Sequence, residues 1–68
     1  MCLLKVYVED PSFGRKLIAK DVAFISKEND LIRIIDVESK EKTLSNMEIL
    51  SIDALKSTLI LKPKINDA

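Results

Sequence analysis

The apolar residues of this chain come in short runs that alternate with polar ones or are dense in β-branched side chains, and polar turn-forming clusters separate the runs. That pattern constrains the fold to strands, because alternation lines one face of a pleated backbone with one set of side chains. In the opening stretch Cys2-Leu3-Leu4-Lys5-Val6-Tyr7-Val8-Glu9, the residues Cys2, Leu4, Val6 and Val8 share one side, while Lys5 and Glu9 fall on the other. Asp10-Pro11-Ser12-Phe13-Gly14 then gathers turn formers and predicts a reversal. Leu17-Ile18-Ala19 and Val22-Ala23-Phe24-Ile25 follow, interrupted by Lys20-Asp21, and the polar knot Ser26-Lys27-Glu28-Asn29-Asp30 reads as a tight turn.

Leu31-Ile32-Arg33-Ile34-Ile35-Asp36-Val37 has strand composition, but Ile32 and Ile34 compete with Leu31, Ile35 and Val37 for the inward face, and a slip of one residue exchanges the two sets. Glu38-Ser39-Lys40-Glu41-Lys42 is a charged turn. Ser45-Asn46-Met47-Glu48 matches a capping box, which offers a short helix over residues 46–56. The alternation in Ile49-Leu50-Ser51-Ile52-Asp53, with strands on both sides, favours a strand instead. Thr58-Leu59-Ile60-Leu61-Lys62 is a strand that Pro63 should end. The reading is an all-β fold: five to seven short strands in a small antiparallel β-barrel, SH3/Sm-like or OB-like, as one domain over residues 1–63 with a flexible tail over 64–68.

A chain of 68 residues sits near the lower limit for a self-sufficient core, so help from a partner or a metal is expected. Eleven basic and eleven acidic residues leave a net charge of zero, which removes the commonest electrostatic support for nucleic-acid binding. No apolar run approaches the length of a membrane span and no signal-peptide pattern opens the chain, so it reads as cytoplasmic. With one cysteine, no histidine and a single glycine, an internal disulfide, a Ser-His-Asp triad, a two-histidine metal face and a glycine-rich phosphate loop are all impossible.

The one soft ligand, Cys2, lies at the start of the chain. If Met1 is removed, the α-amine and thiolate of Cys2 close a five-membered chelate. If Met1 stays, its amine, the Cys2 amide nitrogen and the Cys2 sulfur form an N,N,S set. Either arrangement suits square-planar Ni(II) or Cu(II) better than tetrahedral zinc. One chain leaves positions open, whereas two chains meeting about a twofold axis complete a four-coordinate site. On the residues alone, Cys2 reads first as a small hydrophobe on the Leu4, Val6, Val8 face, since free cysteine is among the most buried residue types.

The segments Met1-Cys2-Leu3-Leu4-Lys5-Val6-Tyr7-Val8 and Ala19-Lys20-Asp21-Val22-Ala23, the strand from Leu31 to Val37, and Ile52-Asp53 with Leu59-Ile60-Leu61 resemble the CooT family of small nickel-binding proteins. The resemblance implies a small β-barrel, a homodimer with adjacent N-termini, and one Ni(II) per dimer bound through Cys2; only Cys2 matches a functional position of the family. It also implies a metallochaperone or storage role linked to carbon monoxide dehydrogenase maturation, and no enzymatic activity. Leu4 stands where a smaller residue is common in that family, and the region from Met47 to Leu50 lacks its usual glycine. HypC-type assembly chaperones also begin Met-Cys, but they continue with a proline-containing turn where this chain has Lys5-Val6-Tyr7-Val8.

Two other functions fit the chain less well: a small RNA-binding barrel, and a HypC-like chaperone in which Cys2 reaches a metal on a larger partner. Arg15, Lys16 and Lys20 with Phe13 form a basic patch with an aromatic, diluted by Asp10 and Asp21. The pairs Asp36 with Glu38 and Glu28 with Asp30 sit in or near polar turns, where local backbone bonds explain them. Met47 reads as a core gap filler.

Overall fold

The computed structural model describes residues 3–64. Its runs form six strands: β1 (Leu4–Asp10), β2 (Gly14–Glu28), β3 (Leu31–Asp36), β4 (Glu41–Ser45), β5 (Met47–Asp53) and β6 (Thr58–Pro63). One mixed sheet has the order β4-β3-β2-β1-β6-β5. The all-β expectation holds, and the segment with a capping box is strand β5. Two details depart from expectation. The pairing of β1 with β6 is parallel, from Lys5 opposite Thr58 to Val8 opposite Leu61, so the sheet is not wholly antiparallel. It is also curled without a closed ladder, since β4 and β5 are its two edges.

Residues 17–28, which read as two apolar pieces and a polar knot, belong to one strand of 15 residues. Asp21 takes φ +54° within it, and the pairing with β3 shifts register between Val22 and Phe24. The strand therefore bends without ending, and each half serves a different neighbour. Residues 14–22 pair with β1, and the remainder pairs with β3 from Val22 opposite Asp36 to Glu28 opposite Leu31.

The turns are made by short polar side chains. Asp10 Oδ1 accepts the Ser12 amide at 2.7 Å, and Gly14 at φ +78° completes the three-residue link into β2. Asp36 organises the β3–β4 turn by accepting the amides of Glu38 at 2.8 Å and Lys40 at 3.0 Å. Between β4 and β5 a single residue, Asn46 at φ +57°, carries the chain from one edge of the sheet toward the other. Asn46 donates its amide to Asp30 O at 3.2 Å and accepts the Lys64 amide at 2.8 Å, which draws the β2–β3 turn and the end of β6 together. An ion pair of Lys64 with Asp30 at 2.8 Å reinforces this seam. Lys64 opens the segment expected to be a tail; residues 65–68 lie outside the described residues.

The core is Val6, Val22, Ile32, Ile34, Leu59 and Leu61, with Leu4, Val8, Ile18, Ala19, Ile25, Leu44 and Met47 packed against it. Each such buried side chain contributes roughly 1.5–3 kcal/mol of transfer free energy. Ile32 and Ile34 occupy the inward face of β3, at 0% and 2% exposure, against 46% for Leu31. This settles the register. Ile32→Ala is expected to cost about 2–5 kcal/mol, and Leu31→Ala a small fraction of that, in urea unfolding followed by circular dichroism. Equal losses would contradict the assignment.

The seam should respond to pH. The Lys64 ammonium, first as hydrogen-bond donor and then as a charge, holds the Asp30 carboxyl below its ordinary pKa. The same hydrogen bond and charge hold Lys64 above its own. A depressed carboxyl stabilises the fold above its unfolded pKa and loses that contribution as pH falls through the folded value; the raised ammonium loses its contribution at the alkaline end. The effect is small, because both groups face solvent. Asp30→Asn should therefore melt slightly below the parent at pH 7, with the gap closing in strong acid. A gap of unchanged size at acid pH would show that the ion pair is not its cause.

Candidate functional site

The expected metal ligands, Cys2 and Met1, lie outside the described residues. What the structure describes is the strand that follows them in the sequence, β1. β1 has β2 on one side and β6 on the other, and Val6 at its centre is wholly buried. At its start, Leu4 pairs with Val22, and the Lys5 amide donates to Ser57 O at 3.0 Å. The first two residues are thus attached to an interior strand whose backbone is bonded on both sides.

Pairing rows place two acidic residues near this start. Leu4 faces Val22, which faces Asp36; on the other side Lys5 faces Thr58, which faces Asp53. Both carboxylates already serve their own turns, Asp36 as described and Asp53 by accepting the Lys56 amide at 3.0 Å. Among the described residues, no three Cys, His, Asp or Glu side chains gather as a metal cluster.

The other groups singled out in the sequence are dispersed. Arg15 is paired with Glu9 at 2.7 Å, Phe13 is 85% exposed at the β1–β2 turn, and Lys16 and Lys20 are exposed. Glu38 meets Lys40 at 3.7 Å and Asp30 turns to Lys64, so neither carboxylate pair acts as a unit. Met47 packs against the core, as its reading anticipated.

One feature had no local signal in the sequence. Lys42 of β4 reaches the backbone of β2 and donates to Ile18 O at 2.6 Å, across a separation of 24 residues. Beside that contact is a cleft of about 290 Å³ between β2 and the β3–β4 turn, with Ile18, Ala19 and Ile34 among its lining residues and Lys20, Lys40 and Lys42 around it.

Among the described residues, no helix is long and apolar enough to cross a membrane. No curated protein matches the chain. The family model described as CO dehydrogenase accessory protein CooT matches residues 1–62, from the first methionine through most of β6. The match takes in the Met-Cys start together with five complete strands and nearly all of the sixth, and the chain belongs to the CooT family of CO dehydrogenase accessory proteins.

Proposed function

We propose that this protein carries Ni(II) as cargo in the cytoplasm, binding one ion per homodimer through the Cys2 thiolates and N-terminal nitrogens, and stores or delivers it during carbon monoxide dehydrogenase maturation. It is read as a metallochaperone and not as an enzyme. The observation that carries the reading is the family match starting at residue 1, in a chain whose only thiol is Cys2 and which has no imidazole. Nitrogen and sulfur donors in one chelate ring favour a planar ion, and nickel is the metal that such a donor set and a CO dehydrogenase accessory role have in common.

Two structural facts support a dimer. Among the described residues, nine large hydrophobic side chains are at least 42% exposed and seven hydrophobic residues are buried, so the core of one chain is small and a second copy would cover apolar side chains left in water. The donors are also attached to a strand fixed on both sides, so a second protomer brought against that start would meet a backbone already in place. Thiolate and amine must both lose protons to bind the metal, and acidification would release the cargo.

Titration with Ni(II) should produce sulfur-to-nickel charge-transfer absorption that saturates at one ion per two chains. Native mass spectrometry of the same samples should show the dimer with one nickel, and affinity should fall as pH is lowered. Cys2→Ser should lose the absorption. An unchanged spectrum on adding nickel, or equal binding by Cys2→Ser, would overturn the reading.

A further inference from the structure

The long strand β2 has a neighbour on only one side along part of its length. Residues 14–20 pair with β1, whereas β3 joins β2 only from Val22 onward. Among the described residues, the other edge of residues 14–20 therefore carries no strand. In an antiparallel ladder alternate residues turn their N–H and C=O groups away from the paired partner. Ile18 is a bulge residue, skipped where the register shifts between the Val6–Ala19 and Tyr7–Leu17 pairs, and its carbonyl oxygen is taken by the Lys42 ammonium and not by a strand.

The cleft along this edge has both halves of a strand-binding site. Its aliphatic residues Ile18, Ala19 and Ile34 can receive alternate side chains of an extended segment, and the backbone edge can receive its hydrogen bonds. Its charge is unbalanced. Of the two carboxylates in the lining, Glu41 is paired with Arg33 at 3.3 Å and Asp36 is held by two backbone amides. Lys20 has no hydrogen-bond or ion-pair partner among the described residues, and Lys40 makes only a long contact with Glu38 at 3.7 Å.

We propose that this edge of β2 docks an extended acidic segment of a partner protein, added as a further strand, with its carboxylates on Lys20, Lys40 and Lys42. An incoming backbone N–H takes over Ile18 O, which frees the Lys42 ammonium for a carboxylate. Lysines on a free edge repel the edges of most other chains; the same charges select a strand that brings acid, so discrimination and attraction come from one set of groups. The cleft lining includes no aromatic residue and the chain has no net charge, which makes a peptide the better occupant than a single-stranded nucleic acid.

The test uses the full chain and a short end-blocked peptide of alternating Glu and Val, with a Lys and Val peptide as control. The Glu peptide should bind, the control should not, and binding should weaken with added salt. Amide hydrogen exchange should slow at residues 15–20 on binding. The variant Lys20→Glu with Lys40→Glu, both at exposed positions, should keep the parent circular dichroism spectrum and lose at least about tenfold in affinity. Cys2→Ser should bind the peptide as the parent does, which keeps this result independent of the nickel reading. The proposal is overturned if the Glu peptide does not bind, if protection maps to β5 instead, if charge reversal leaves affinity unchanged, or if an oligouridylate competes for the same residues with higher affinity.

Discussion

The parallel pairing of β1 with β6 holds the structure together. Val6 and Leu59 face each other across it, both buried, with Leu61 further along the same ladder. Parallel neighbours cannot be joined by a tight turn, and here everything from β2 to β5 forms the connection between them. The pairing puts the first and last strands of the sequence in the interior of the sheet and pushes β4 and β5 to its edges. A chain with so few buried residues gains from this arrangement, because its most apolar segments acquire a neighbour on both sides.

Curling the sheet around that pair requires bends, and the chain makes them almost without glycine. Asp21, Asn29, Ser39, Asn46 and Ser57 all have φ between 51° and 66°, a left-handed conformation that costs an L-residue roughly 1–2 kcal/mol. Asn and Asp tolerate it best because their short side chains bond locally. The bend at Asn46 joins the two edge strands, and its own amide and carbonyl close the seam to Asp30 and Lys64. Backbone strain at these few positions is offset by the burial that curling permits. Gly14, the only glycine, is spent on the first turn.

The strands were legible wherever alternation met burial. β1 and β6 read cleanly because both lie inside the sheet, and the turn at residues 10–14 was announced by Asp10, Pro11 and Gly14. The ambiguity at β3 arose because both of its faces are apolar; the register followed from long-range pairing with β2 and β4, which no local pattern encodes. The polar break at Lys20-Asp21 suggested an interruption, yet polar residues on an exposed bend do not end a strand when β1 and β3 continue the ladder on either side. The capping-box match at Ser45-Asn46-Met47-Glu48 lost to pairing of β5 with β6, since a local motif worth about 1 kcal/mol cannot outweigh a ladder along a whole strand. Of the chemistry, Cys2 was visible as the only thiol. The Lys42 contact with Ile18 was not, because it depends on two strands curling toward each other.

The position of β2 gives the two functional proposals a common geometry. Ala19 pairs with Val6 on one edge of β2 and lines the cleft on the other, so a strand docked in that cleft would lie two strand spacings, about 10 Å, from β1. Val22 faces Leu4 across the same ladder, which puts the start of β1 beside the Lys20 end of the docking edge. An accessory protein that hands over a metal ion has to bring donor atoms and recipient close together without making the recipient part of the permanent metal site. Here a single strand would separate the start of β1 from the docked partner, so that each can be altered without the other. The bend at Asp21 lies between the start of β1 and the docking edge.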